Sequence, residues 1–334
     1  MTGNAAILRD GRGREVSYLR LSVTDRCNLA CMYCRPKGSI TFIPHDKILR
    51  YEELLDLVAL ARDMGITKVR LTGGEPFARR DFMRFVEAIR TRFPDMDLRI
   101  TTNATLLAGH PAELADLGVR AVNISLDTLD REKFERITGH DRLDAVRRAV
   151  DECLAAGLRV KLNAVALRGI NTVEIPDFVA MAKAAPIDVR FIEFMPVGDG
   201  NLWRPEHYIS AQDVLSMAAC TAELVPDDHD RAAGGPARMH RIVGGIGRFG
   251  VISPLSEHFC DTCNRLRITA DGKLRTCLFS EREYRLRPVL RNPGLGLPKV
   301  RQIIAMALRT KPLGYEVLNP GGTSKARDMS AIGG

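Results

Sequence analysis

Between residues 18 and 195, short β-rich runs alternate six times with amphipathic stretches, and few folds accommodate that rhythm. Strands are predicted over 18–23, 67–71, 97–101, 121–125, 158–165 and 188–193. Helices are predicted over 51–64, 81–93, 111–117, 143–156 and 173–184, where apolar residues recur at three- and four-residue spacing. Gly65, Gly118 and Gly157 each follow a helix and precede a strand, as C-terminal caps do. Six βα repeats with right-handed crossovers imply a parallel sheet with helices outside. The pattern alone leaves open whether the sheet curls into a barrel or lies flat and doubly wound.

The rhythm breaks after Trp203. Residues 227–238 are charged and contain glycine and proline, which predicts an exposed loop. Segments 241–252 and 266–278 read as β-structure, with a hairpin turn at Ala270-Asp271-Gly272. Residues 291–298 read as a linker and 300–309 as a helix, and the last twenty residues are polar and glycine-rich. The predicted division is a tail over 1–14, a βα domain over 15–225, an exposed loop over 226–239 and a C-terminal region over 240–334.

A chain of 334 residues with 45% hydrophobic and 27% charged content is ordinary globular protein. It has no apolar run of membrane-spanning length, and its first residues lack the apolar core of a secretory signal, so a cytoplasmic location away from membranes is expected. Forty-nine basic against forty-one acidic residues leave a net charge of +8, which suits an anionic partner. Charge does not separate a nucleic acid from a phosphorylated small molecule.

Six of the eight cysteines fall into two groups of three. Cys153 and Cys220 stand alone on apolar stretches and read as buried small hydrophobes. Cys27, Cys31 and Cys34 form C-x3-C-x2-C directly after the first strand. Three thiolates can hold three irons of a cubane cluster and leave the fourth open to a small molecule. A zinc site completed by His45 is the bland alternative, and Tyr33 beside the last cysteine weighs against it. Cys260, Cys263 and Cys277 repeat the theme. There, His258 could complete a zinc site; a second cluster with an open iron is the sharper reading. Arg265 and Arg267 alternate onto one strand face, where guanidinium forks suit phosphate oxygens, although a solvated basic edge would look the same. Gly73-Gly74 lets backbone approach a ligand closely, or forms a plain βα turn. Thr101 and Ser125 close strands, Met195 follows one and Lys161 lies within another; βα barrels build their sites at strand C-terminal ends.

The C-x3-C-x-Tyr-C motif after strand one, with Gly-Gly-Glu-Pro at 73–76, resembles the signature of the radical S-adenosylmethionine (SAM) superfamily. Further motifs are L-R-L-S-V-T-D-R-C-N at 19–28, E-F-M-P at 193–196, C-x2-C-N-R-L-R at 260–267 and the terminal Gly333-Gly334. With these the chain is similar, over about residues 12–334, to the GTP 3′,8-cyclase family of molybdenum cofactor biosynthesis. The resemblance implies an α/β fold, an incomplete (β/α)6 TIM-like barrel with a C-terminal β-containing extension carrying a second iron–sulfur cluster. It implies that Cys27, Cys31 and Cys34 hold a [4Fe–4S] cluster that binds SAM, lined by Tyr33, Gly74, Ser125 and Met195. Cys260, Cys263 and Cys277 would hold a second [4Fe–4S] cluster whose open iron meets the guanine of GTP. Arg20, Arg70, Thr101, Lys161, Arg265, Leu266 and Arg267 would contact GTP, and Gly333 and Gly334 would reach into the site.

The implied reaction takes hydrogen from ribose C3′ with a 5′-deoxyadenosyl radical and joins C3′ to C8, giving 3′,8-cyclo-7,8-dihydro-GTP. Implied partners are an electron donor of flavodoxin or ferredoxin type and the cyclic pyranopterin monophosphate synthase that takes the product, with no nucleic acid and no membrane; the protein would be a monomer or homodimer. Two positions depart from the family pattern: Ala104 stands where glycine is usual, and Arg35 where an apolar residue is usual. Rival readings are a peptide-modifying radical enzyme, a zinc-stabilised nucleic-acid-binding module and a simple iron–sulfur electron carrier.

Overall fold

The computed structural model describes residues 7–35, 42–198, 203–227, 235–318 and 329–332. Six strands appear where the alternation places them: β1 (Tyr18–Thr24), β2 (Lys68–Gly73), β3 (Asp97–Thr102), β4 (Ala121–Ser125), β5 (Arg159–Ala166) and β6 (Ile187–Glu193). Between them lie α1 (Tyr51–Asp63), α2 (Phe82–Arg92), α3 (Pro111–Asp116), α4 (Arg131–Thr138), α5 (Leu143–Ala155) and α6 (Ile175–Ala184), and α7 (Ala211–Ala219) follows β6. The remaining strands are β7 (Leu224–Asp227), β8 (Ala237–Ile242), β9 (Arg248–Ile252), β10 (Arg265–Ile268), β11 (Lys273–Arg275) and β12 (Tyr284–Arg285).

Among the described residues these strands form one sheet in the order β12-β11-β10-β1-β2-β3-β4-β5-β6-β9-β8-β7. The order is linear, so the barrel is open. β10 pairs parallel to β1 and β9 parallel to β6, so strands from the C-terminal region extend the βα series at both edges. The antiparallel β8 and β7 complete one side and β11 and β12 the other.

Parallel strands are ordinarily apolar on both faces, because helices cover both. Here each strand alternates. Leu19, Leu21, Val69, Leu71, Leu98, Ile100, Val122, Ile124, Val160 and Leu162 are all buried in one cluster with the apolar faces of the helices, including Leu54, Leu57, Phe85, Val86 and Val146. The other face carries polar rows. Arg267, Arg20, Arg70 and Arg99 stand in register across β10, β1, β2 and β3, and Thr101, Asn123, Lys161 and Asp188 across β3, β4, β5 and β6. A row of charges inside a curled sheet requires a cavity rather than a packed barrel core.

Several sequence expectations need correction. The connection between β4 and β5 contains an extra helix, α4, whose charged eight residues give little apolar signal. The expected loop over 226–239 is narrower: residues 224–227 and 237–242 pair as β7 and β8, and 228–234 lie outside the described residues. The expected tail is partly fixed, because Gly11 N donates to Leu308 O (3.1 Å) and Val16 N to Leu8 O (2.8 Å). The linker expected over 291–298 is shorter: 291–295 join a short helix, Arg287–Leu290, to a helix over Gly296–Arg309. Cys153 is buried in α5, but Cys220 is exposed, because it caps the end of α7 rather than facing the core. Ala104 adopts φ +61° and so takes the left-handed conformation that glycine would occupy without strain.

Gly247 opens β9 where it joins β6. A Cβ there would collide with the carbonyl oxygens of Ile187, Ala185 and Ala182. Gly247→Ala is therefore expected to cost about 2 kcal/mol or more, read as a lower urea midpoint at unchanged slope.

Candidate active site

β1 delivers the chain into a loop that carries Cys27, Cys31 and Cys34, and contacts from β2, α4 and the segment after β4 fix that loop. From β2, Gly74 N donates to Thr24 O (2.8 Å) and Glu75 N to Arg26 O (2.7 Å). A side chain at Gly74 would run into the Asp25 and Arg26 carbonyls, so the double glycine is a close-approach device. From α4, the carbonyls of Thr138 and Ile137 accept from Ala30 N (2.8 Å) and Met32 N (2.9 Å). From beyond β4, Asp127 accepts from the Tyr33 hydroxyl (2.6 Å) and from Val165 N (2.8 Å). Arg35, the unusual residue, is buried: it donates to Asp25 O (2.9 Å) and stacks over Phe42 (4.3 Å), bracing the loop.

Glu75 is fully buried and accepts from Phe77 N (3.0 Å), Thr102 Oγ1 (2.8 Å) and Asn103 N (2.7 Å), which ties the β2 turn to the end of β3. Burial pushes its carboxyl up to about 7, against those donors. Asn103 in turn donates to Asn28 Oδ1 (3.0 Å) and sits at 3.5 Å from Cys27 Sγ. Ala104 keeps this turn in place by donating its N–H to Thr102 Oγ1 (2.9 Å).

The second trio is assembled from three segments. Cys260 lies in a short turn, Cys263 precedes β10, and Cys277 follows β11. Arg14 donates to Cys260 O (2.7 Å) and to Lys311 O (3.0 Å); Lys311 Nζ donates to Cys263 O (2.6 Å); Gly314 N sits 3.2 Å from Cys260 Sγ. Arg275, buried, donates to the Leu278 carbonyl (3.1 Å) and holds the backbone after Cys277. Burial raises the Cys27, Cys31 and Cys277 thiols. Burial also raises Cys263, but Arg265 and Lys311 outweigh it and bring that thiol down to about 7.

Both trios line one cavity of about 500 Å³. All eight parallel strands contribute to its wall. Eleven arginine and lysine side chains face it (Arg14, Arg20, Lys68, Arg70, Arg99, Arg159, Lys161, Arg190, Arg265, Arg267 and Lys311) against two carboxylates, Asp127 and Glu193. Burial and the neighbouring Arg267 hold the Arg20 guanidinium well below its usual range, and burial with Arg265 brings Arg267 to about 10. Buried atoms without hydrogen-bond partners include Arg20 Nε, Asn123 Oδ1, Asn163 Oδ1 and Arg265 Nε. The two arginine nitrogens are donors suited to an anion, and the two amide oxygens are acceptors that need a donor from a guest.

Of the residues singled out from sequence, Tyr33, Gly74, Ser125, Met195, Arg20, Arg70, Thr101, Lys161, Arg265 and Arg267 all reach this cavity. Leu266 does not: β10 turns its side chain to the opposite face, into the core. Gly333 and Gly334 lie outside the described residues, but Met329 lines the cavity and Ile332 is buried against Val197 and Phe279. Lys68, Arg99, Arg190, Arg14 and Lys311 were not anticipated; for the first three, alternation along parallel strands was the available signal. His45 and His258 are absent from the cavity wall, and His258 is engaged with Pro254 O (2.9 Å). Among the described residues no group of three or more His, Cys, Asp or Glu side chains is arranged to hold a single metal ion.

A cysteine loop of this spacing at the C-terminal end of strand one, in an open parallel barrel, defines a radical SAM protein. Residues 21–182 match the Radical SAM superfamily, and residues 187–317 match Molybdenum Cofactor Synthesis C. Among solved structures, SuiB of Streptococcus suis shares the fold at TM-score 0.61 and 16% identity, covering 96% of this chain and 78% of that one. Native anSMEcpe with bound AdoMet matches at TM-score 0.58 and 15% identity, covering 95% and 92%. Curated relatives are far more similar. The GTP 3′,8-cyclase of Heliobacterium modesticaldum is 42% identical over 97% of this chain and 99% of its own, and that of Thermodesulfovibrio yellowstonii is 41% identical over 98% and 100%. The chain belongs to the GTP 3′,8-cyclase family. As a radical SAM protein it uses S-adenosylmethionine and an iron–sulfur cluster, and no helix among the described residues is long and apolar enough to cross a membrane.

Glu75→Gln would set an amide N–H against a backbone donor in a buried site. The variant is expected to lose about 1–3 kcal/mol of stability by urea titration. It is also expected to retain less iron after gel filtration, because the β2 turn braces the cysteine loop.

Proposed function

We propose that this chain converts GTP to (8S)-3′,8-cyclo-7,8-dihydroguanosine 5′-triphosphate, the first step of molybdenum cofactor biosynthesis, with two [4Fe–4S] clusters. The observation that carries this reading is a single cavity walled at once by both cysteine trios and by eleven cationic side chains. Cys27, Cys31 and Cys34 would hold one cluster, and Tyr33, Gly74, Ser125 and Met195 the SAM bound to it. Cys260, Cys263 and Cys277 would hold the other. When bound, the clusters supply the electron that opens the SAM sulfonium bond and an open iron for the guanine.

The residues of the chain do the rest. Arg20, Arg70, Arg265 and Arg267, with Lys161, present guanidinium and ammonium groups to a triphosphate of about −4, and forked guanidiniums fix its orientation. Thr101 accepts from Arg70 (3.2 Å) and so holds that guanidinium toward the cavity. The cavity wall would keep water from a carbon radical and hold the nucleotide beside SAM. Gly333 and Gly334, which follow the buried Ile332 in sequence, would reach into the cavity. A cytoplasmic location, a flavodoxin- or ferredoxin-type donor and hand-over to cyclic pyranopterin monophosphate synthase complete the reading, with a monomer or homodimer as the active form.

The direct test is anaerobic incubation of the reconstituted chain with SAM, dithionite and GTP deuterated at C3′. Deuterium is expected in 5′-deoxyadenosine, together with the 3′,8-cyclised nucleotide; 5′-deoxyadenosine without the label would refute the assignment. Deleting Gly333 and Gly334 is expected to leave both clusters bound by iron analysis and to abolish cyclisation. Cys277→Ser is expected to spare reductive cleavage of SAM while weakening GTP binding in equilibrium dialysis; unchanged affinity contradicts the role given to the second trio.

A further inference from the structure

The two trios sit in opposite electrostatic surroundings. Around the first, Asp127 is bonded to Tyr33, Asp25 is paired with Arg26 (3.2 Å), and Glu75 reaches Cys27 through Asn103. Arg35 is the other cation there. Asp25, Asp127 and the Glu75 carboxyl, which burial pushes up to about 7, therefore stand against two guanidiniums, and neither cation there lacks a nearby acidic group. Around the second trio the balance reverses. Arg14 is matched by Asp10 at 2.6 Å, but Lys311 is not matched. Its side chain is buried, with the residue only 3% exposed, and its Nζ donates to the carbonyl of Cys263 at 2.6 Å. Among the described residues no carboxylate pairs with it. Arg14 grips the Lys311 and Pro312 carbonyls, which fixes the backbone from which the ammonium reaches the trio.

An ammonium buried without a counter-charge is costly, and the negative charge that compensates it must come from whatever the three cysteines hold. We propose that Lys311 raises the reduction potential of the cluster on Cys260, Cys263 and Cys277 above that of the cluster on Cys27, Cys31 and Cys34; the inference rests on the two-cluster reading. Reduction adds one electron and one negative charge to a cluster, with no bond made or broken. Beside an uncompensated cation that added charge is favoured, and beside cations already matched by acidic groups it gains no such support. Arg265 and Arg267 add to the same field until substrate phosphates neutralise them, whereas Lys311 faces the Cys263 backbone. Lys311 lies 48 residues from Cys263 in sequence, so no local motif marks it.

The test is a potentiometric titration of the reconstituted full chain, monitored by electron paramagnetic resonance. Triple serine variants of either trio assign the two signals. In the unaltered chain the second cluster is expected to be reduced at the higher potential. Lys311→Met is expected to shift its oxidised-to-reduced ratio about tenfold toward oxidised at fixed potential, which is about 59 mV for a one-electron couple. Lys311→Arg should preserve the wild-type value, and the first cluster should be unmoved in both variants. Two clusters with unchanged potentials in Lys311→Met overturn this inference alone. One cluster per unaltered chain, by iron and sulfide analysis, overturns the underlying reading as well. If Lys311→Met loses its second cluster, the order of potentials in the unaltered chain decides, and a second cluster harder to reduce than the first overturns the inference.

Discussion

Positive charge enclosed within a parallel sheet is the constraint on which the molecule depends. Arg20, Arg70, Arg99 and Arg267 stand side by side, and burial drives two of them, Arg20 and Arg267, toward weaker basicity. A packed barrel core would exclude them, and an open solvated face would leave them no reason to be buried. Their stable environment is a cavity that receives anions; the guests proposed for it are thiolate-bound clusters and a nucleoside triphosphate. The same constraint explains why the sheet is open. The strands added at its two edges, β10 and β9, do not pair with each other, and the gap leaves room for a guest.

Buried carboxylates do a different task, fastening loops. Glu75 ties the ends of β2 and β3. Asp127 ties Tyr33 to the start of the β5 exit. Glu193, at the end of β6, accepts from Ala211 N (2.9 Å), Leu255 N (2.8 Å) and Ser256 N (3.0 Å), joining α7 to the segment that leads to Cys260. Each places a rigid brace one step behind a cysteine loop, so that ligand positions are set before a cluster arrives.

The sequence made the βα series and both trios legible because their signals are local: period-two and period-3.6 patterns, glycine caps and short cysteine spacings. What stayed hidden depends on distance along the chain. β10 pairs with β1 across more than two hundred residues, and nothing near Arg265 announces that partner. Arg14 and Lys311 reach the second trio from opposite ends of the chain. Helix α4 is short and charged, yet its last carbonyls hold the first cysteine loop. The alternation that turned Arg265 and Arg267 inward also turned Leu266 outward. Ala104 shows a tolerance that residue type alone did not reveal: it takes the left-handed turn because Thr102 and Glu75 hold both sides of it.

The central claim is that each cysteine trio leaves one iron of a cubane uncapped inside a shared cavity. Mössbauer spectroscopy of the anaerobically reconstituted chain tests it most directly. About eight irons and eight sulfides per chain are expected. SAM should perturb one iron of one cluster, and GTP one iron of the other. Tightly bound zinc without inorganic sulfide, or iron subsites that respond to neither molecule, would contradict it.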